Sequence, residues 1–447
     1  MGRKDIENAL DVLEADVKKT NNTSQKLNDI LQRLRNHTSL DELDPLFTKR
    51  GISICCRYSF DASSPTTGRI ALRCLCNILF LAEPTRQIFV NENYIKETVE
   101  RMKSTHPDDE LLSARLLLLC TYGTDLNFNP LFEKHNIAEI INTRSRKVST
   151  TGHLISACSE SLKLLYNLLA HYPHHAPRFS ESLLPILKIL NNVTVPSPPL
   201  QPPISSLINP LVYLDLGDTN TRNSEQDHLF PRFDNNINVD RLVHILDLAT
   251  RAYNDEEMDK HVSPLVQVLV RIAELALPGP KARLRALLLP SNADRERVLG
   301  TGDSLPARLL RLSAALAAPN LRQIVPALLF ELSDKDVQRF VHNIGYGYAA
   351  GFLQINGLQL PSGELDGDAE GGNNDKATNE TVEVNPVTGQ TRDMEPELHI
   401  PEMTDEEKER EAERLFVLFE RLRATGVVDV ENPVAQAVRE GRFEEVD

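Results

Sequence analysis

Residues 159–170 read SESLKLLYNLLA, and residues 69–80 read RIALRCLCNILF. Leu72, Arg73, Leu75 and Asn77 superimpose on Leu162, Lys163, Leu165 and Asn167 at one constant offset of 90 residues. A third copy lies between them. In residues 113–122, SARLLLLCTY, Arg115 takes the register of Arg73 and Lys163, so a basic residue recurs after 42 and then after 48 residues.

A period of roughly 40 to 47 residues is that of armadillo and HEAT repeats. Each helical unit of such a repeat carries an apolar face it cannot bury alone, and stacking joins those faces into one core. The sequence therefore predicts an all-α chain, an armadillo/HEAT-like right-handed solenoid over residues 1–360. Arg73 and Asn77, like Lys163 and Asn167, stand four apart and share one helix face. On the concave wall of a superhelix, Arg73, Asn77, Arg115, Lys163 and Asn167 would form a ladder along a groove. The alternative for the asparagines is a local role, bonding neighbouring backbone, because buried amides are satisfied locally as a rule. For the cations a partner is required either way, since long charged side chains are seldom buried without one.

Composition sets limits around this reading. The 447 residues hold 41% hydrophobic residues but only 5% aromatics and no Trp, which suits packed helices better than a β-sandwich. Lys+Arg 49 against Asp+Glu 64 gives a net charge of −15, which disfavours general binding to nucleic acid or an anionic membrane surface. Cys55, Cys56, Cys74, Cys76, Cys120 and Cys158 form no CxxC pair and several sit in leucine-rich helical runs. They read as small buried hydrophobes in a reducing compartment. The N-terminal run is charged throughout, with no apolar signal region, and no run approaches the roughly 20 apolar residues of a membrane span. A cytoplasmic monomer, recruitable to the cell cortex, is expected. His171, His174 and His175 follow a helix end beside two prolines without a Cys or acidic cluster, so no metal is expected, and neither a cofactor nor a catalytic constellation has a signature.

Along the chain, residues 6–17 and 24–35 read as amphipathic helices capping the array. His106-Pro107-Asp108-Asp109 reads as a turn before the second ladder helix. Residues 191–236, with VPSPPLQPPISSLINP, read as a proline-rich insertion that interrupts the array, with a polyproline ligand for an SH3-type domain as a lesser alternative. Ser263 with Pro264 fits a helix N-cap and first position. Gly345-Tyr346-Gly347 inside an apolar helical context calls for a packing or turn explanation. Residues 361–403 read as an acidic flexible linker holding a turn-like island at Asn385-Pro386-Val387-Thr388-Gly389. Thr404 and Glu407 match a capping box. The helix it opens, over residues 404–423, carries an apolar stripe of Leu415, Phe416, Leu418, Phe419 and Leu422, and residues 424–447 are a tail. Such a stripe must dock, either on the solenoid or on a partner.

CLCNILF, SARLLLLCTYGTD, SLKLLYNLLA, MDKHVSPL, FVHNIGYGYAAGFL, NPVTG and MTDEEKEREAERLFVLFERL, in this order and spacing, resemble the synembryn family, also called resistance to inhibitors of cholinesterase. The resemblance runs from the first ladder helix to Leu422. It implies an armadillo-like solenoid that binds G-protein alpha subunits, GDP-bound or nucleotide-free, as exchange factor and folding chaperone and without covalent chemistry. It further implies that the groove receives the last helix of the alpha subunit, with Arg73, Arg115 and Lys163 for its carboxylate and Asn77 and Asn167 for its backbone, while the C-terminal helix of this chain embraces the client. The animal relatives carry phosphorylated serines and threonines in this linker; Ser362, Thr378 and Thr381 here lack an acidic residue three positions on. The competing class is a passive armadillo scaffold or adaptor that holds extended peptides without exchange activity.

Overall fold

The computed structural model describes residues 2–19, 22–37, 44–151, 155–217, 227–359 and 384–395, and then 404, 408, 410, 414, 416 and 417. Among them secondary structure is helical, with a single isolated antiparallel bridge between Val384 and Thr391. Residues 1–393 form one compact unit and residues 394–447 a second.

In the first unit α1 (Arg3–Lys19), α2 (Ser24–Arg35), α3 (Lys49–Phe60) and α4 (Pro65–Leu81) open the array. The short α5 (Pro84–Asn91) and α6 (Ile95–Arg101) lead to α7 (Pro107–Cys120), and α8 (Asn129–Glu133) and α9 (Ile137–Thr151) lead to α10 (Ile155–His171). After a 3-10 stretch at Pro173–Ser182 come α11 (Leu183–Asn192), α12 (Ile204–Leu211), α13 (Ile237–Ala252) and α14 (Asp255–Leu275). The unit ends with α15 (Pro278–Leu288), α16 (Leu305–Ala314), α17 (Pro319–Leu332), α18 (Val337–Ile344) and α19 (Tyr346–Ile355). One row runs α2, α4, α7, α10, α12, α14, α17, each helix packed on the next; α9, α11, α13 and α15 form a second row against it. The result is the stacked, nearest-neighbour core expected of an α-solenoid.

Local sequence explains where helices begin. Ser64 and His106 accept side-chain bonds from Thr67 N and Asp108 N, each followed by proline at the first helical position. His106-Pro107-Asp108-Asp109 is therefore a helix start rather than a preceding turn, and it puts three acids on the positive end of α7. Ser263 and Pro264 do not start a helix. They lie inside α14, whose N-cap is Asn254 in a capping box with Glu257. Ser263 Oγ donates back to Asp259 O at 2.5 Å.

The proline-rich stretch is also corrected in part. Ile204, Leu207, Ile208 and Leu211 recur at helical spacing and are buried, so α12 fills a place in the main row between α10 and α14. Residues 218–226 lie outside the described set, as do 361–383 and 396–403 of the expected linker.

Arginines stitch neighbouring units together. Arg144 donates to Met102 O and Ser104 O past the end of α6; Arg241 reaches Leu190 O at 2.8 Å and Val193 O past α11. Arg271 reaches the carbonyls of Leu211, Val212 and Leu214, each at 2.7 Å, and Arg285 reaches Leu332 O at 2.7 Å. The last carbonyls of a helix have no intrahelical donor and sit at its negative end, so a guanidinium satisfies both needs at once.

All six cysteines are buried and unbridged, with Cys55 and Cys74 sulfurs 4.0 Å apart. Burial pushes the Cys76, Cys120 and Cys158 thiols up to about 12. Little of these thiols is then in the reactive thiolate form at pH 8. The expected outcome is that maleimide leaves the native chain unmodified at pH 8 and reacts with all six cysteines in denaturant, as counted by mass spectrometry.

Candidate functional site

Along the main row, α4, α7 and α10 bury most of their surface against neighbours and leave one narrow stripe uncovered. On α4 it comprises Arg73, Asn77 and Phe80; on α7 and the turn that follows it, Arg115, Leu118 and Tyr122; on α10, Lys163, Tyr166 and Ala170. These positions are three and four apart, the spacing of one helix face. The three predicted cations are thus brought onto one side of three successive helices.

They are not unpaired. Arg73 Nη2 donates to Asp108 Oδ2 at 2.6 Å, a residue of the first turn of α7. Arg115 engages the Glu160 carboxylate through Nε and Nη2, both at 3.2 Å, and Lys163 Nζ donates to the same carboxylate at 2.8 Å. Burial alone would raise the Glu160 carboxyl, but the bonds from Arg115 and Lys163 outweigh it and hold it below the usual glutamate range. Three cations against Asp108 and Glu160 leave a net charge of +1 on the ladder. The cations keep access to solvent, with side chains 35%, 43% and 37% exposed for Arg73, Arg115 and Lys163, whereas Glu160 is sealed beneath them at 6%. A guanidinium carries five donors, so one carboxylate contact leaves it able to accept a second.

The asparagines serve the neighbouring helices. Asn77 Nδ2 donates to Arg35 O at 3.0 Å from an exposed position, tying α4 to the end of α2. Asn167 is buried and its Nδ2 donates to Thr121 Oγ1 at 2.7 Å, at the end of α7. Asn77 thus bonds neighbouring backbone and Asn167 a neighbouring side-chain hydroxyl.

Below the cations the same face turns aromatic, which sequence reasoning did not single out. Phe80 is 69% and Tyr122 50% exposed, and the rings of Tyr166 and Tyr213 lie 5.5 Å apart across α10 and the end of α12. The signal was present in the repeat itself, where an aromatic or apolar residue follows the basic one at helical spacing. A cationic rung above an aromatic one suits an amphipathic segment with an anionic end.

Of the C-terminal stripe, Phe416 is described and is 40% exposed; Leu415, Leu418, Phe419 and Leu422 lie outside the described residues. Lys408 N donates to Thr404 O at 3.0 Å, a helical bond at the start of the expected element. Among the described residues no group of His, Cys, Asp and Glu has metal-binding geometry; His175 stacks on Phe132 with centroids 4.0 Å apart. No described helix is long and apolar enough to cross a membrane.

The chain matches the profile of the Ric8 family, described as guanine nucleotide exchange factor synembryn, over residues 30–442. A synembryn-like chaperone of Schizosaccharomyces pombe is 33% identical over 186 residues, which is 40% of this chain and 34% of that protein. Chaperone Ric-8A of Macaca fascicularis is 31% identical over 196 residues, 43% of this chain and 36% of the relative. The chain thus spans about a third of the length of the curated relatives it matches. Among solved structures, a designed armadillo repeat protein aligns over 72% of this chain and 99% of its own at 11% identity and TM-score 0.38. An engineered structural-genomics protein aligns over 79% and 83% at 13% identity and TM-score 0.45.

Proposed function

Because this chain belongs to the synembryn (Ric8) family, we propose that it binds G-protein alpha subunits, promotes their release of GDP and assists their folding. The reading is carried by the stripe on α4, α7 and α10. Arg73, Arg115 and Lys163 would receive the carboxylates of the last helix of the alpha subunit, with the apolar side of that helix on Phe80, Tyr122 and Tyr166. No bond to substrate is made or broken. A groove that binds the client's last helix more tightly when it is detached from the client's core shifts the population towards a loosened nucleotide pocket, and GDP leaves. GTP favours the closed client and frees the factor by the same linkage. The helix from Thr404 would supply a second grip through its stripe.

The test is GDP release from a purified alpha subunit with the full chain and with a chain ending at Asp393, the last residue of the first compact unit. Acceleration by the full chain, weakened by truncation, supports exchange with a two-part grip. A stable complex that leaves GDP release at its intrinsic rate would reduce the function to a peptide-holding scaffold or folding chaperone.

A further inference from the structure

Residues 384–391 leave the expected linker and close on themselves. Asn385 N donates to Gln390 O and Gly389 N to Asn385 O, both at 2.8 Å, while Asn385 Oδ1 accepts from the N–H groups of Val387 and Thr388 at 2.8 and 3.2 Å. The resulting turn is held from three sides. Tyr346 N donates to Pro386 O at 2.8 Å and Gly347 N to Val387 O at 3.1 Å, so the turn caps first-turn donors of α19 that no helical carbonyl can reach. Leu299 N donates to Thr388 O at 3.4 Å. The buried Arg295 donates Nη1 to Gly389 O and Nη2 to His342 O and Asn343 O at the end of α18, each at 3.0 Å, and its own carbonyl accepts from Thr391 N at 2.9 Å.

The fit leaves no space for adjustment. Gly389 has φ +69°, and a Cβ there would lie 2.3 Å from Leu299 Cδ1. Gly345, at the break between α18 and α19, has φ +78°, and its Cβ would lie 2.9 Å from Val387 O. This is the packing reason for the glycine cluster, and its other half lies some 40 residues downstream.

The chain up to Gln359 and the chain from Val384 to Asp393 therefore belong to one compact unit. We propose that Val384–Thr391 is a clip that short-circuits the acidic stretch between them and makes Thr391, rather than Gln359, the point from which the C-terminal segment reaches out. The tether to Thr404 is then 13 residues instead of 45. The inference rests on the clip alone and stands whether or not a G-protein alpha subunit is the client.

It is tested on the full chain with a dye pair at Gly351→Cys, where a side chain meets nothing within 4 Å, and Arg410→Cys on the exposed C-terminal segment. The native cysteines are buried and stay unlabelled. A 40-residue Gly/Ser insert after Gly372 is expected to leave the dye distance unchanged, and in the Gly389→Val chain to lengthen it by roughly 10–15 Å, as coil statistics require. Lengthening in the clip-intact chain, or no change in either chain, overturns the proposal. Should Gly389→Val fail to fold, Asn385→Ala serves. Amide exchange at Tyr346 and Gly347 is then expected to rise at least tenfold while α14 keeps its protection; unchanged exchange would also overturn it.

Discussion

Arg144→Met is expected to lower the unfolding free energy by about 3–5 kcal/mol, the range for breaking a buried ion pair from one side. Arg144 is buried, supplies Met102 O and Ser104 O, and lies 3.6 Å from the Glu110 carboxylate, itself 3% exposed at the side chain. Removing it orphans two carbonyls and leaves the buried acid with the hydrogen bond from Ser161 Oγ at 3.2 Å and the weaker attraction of Lys147, but without its principal cation. The loss should depend on pH in a definite direction. Burial already raises the Glu110 carboxyl above its ordinary value even with Arg144 beside it, and without the arginine it rises further. A raised carboxyl makes the folded chain bind more protons than the unfolded one between the two values, so stability falls as pH increases through that window. Guanidinium unfolding should therefore show a smaller deficit at pH 5 than at pH 8, and Glu110→Gln in the same chain should recover part of the pH 8 loss. A deficit below about 1 kcal/mol at both values would show the pair to be no more than a surface contact.

Arg73→Glu combined with Lys163→Glu is expected to weaken binding of a peptide copied from the last helix of an alpha subunit at least about 100-fold, since each charge-assisted bond is worth roughly 1.5–3 kcal/mol. Both side chains are more than a third exposed, and pairs at such positions contribute only about 0–1 kcal/mol to folding. Arg115 still holds the Glu160 carboxylate, so thermal unfolding should fall by only a few degrees and stay cooperative while fluorescence anisotropy records the loss. The new glutamates also face Asp108 and Glu160, which turns a net-positive ladder into a repulsive one for any carboxylate. Unaltered peptide affinity would move the client to another face of the array. A loss accompanied by early unfolding would trace it to the Glu160 pocket instead.

The period of the ladder was legible because stacking imposes it on the chain: leucines that must meet the next unit recur wherever a unit recurs. The cations were legible for the same reason, since the register that buries Leu72 and Leu162 uncovers Arg73 and Lys163. Their partners were not. Asp108 reaches Arg73, and Glu160 reaches Arg115, from the next helix of the row, where only the stacking decides which acid meets which base; the Glu160–Lys163 pair, three apart on α10, is the exception. The roles of Arg144, Arg241 and Arg271 were still less visible, because their acceptors are backbone carbonyls, which every residue has. In the proline-rich stretch, composition masks the i, i+3, i+4, i+7 spacing of Ile204, Leu207, Ile208 and Leu211, so a helix of the main row reads as part of an insertion. Pro264 misleads in the same way; a proline within a long helix costs a hydrogen bond, and the stronger start signal is Asn254 with Glu257.

The hydrogen bonds from Arg295 to Gly389 and from Gln390 to Glu296 join residues 94 apart, whereas the arginine stitches elsewhere join neighbours about 40 to 60 apart. On a ribosome this difference becomes an order of events. Each unit of the array can consolidate once the adjacent unit, about 40 to 60 residues away, has emerged. The last pair of helices cannot, since the donors at the head of α19 wait for carbonyls still to be translated. The nascent chain thus carries an unfinished end until Thr391 is out, and the array is completed only when translation has nearly reached the C-terminal helix.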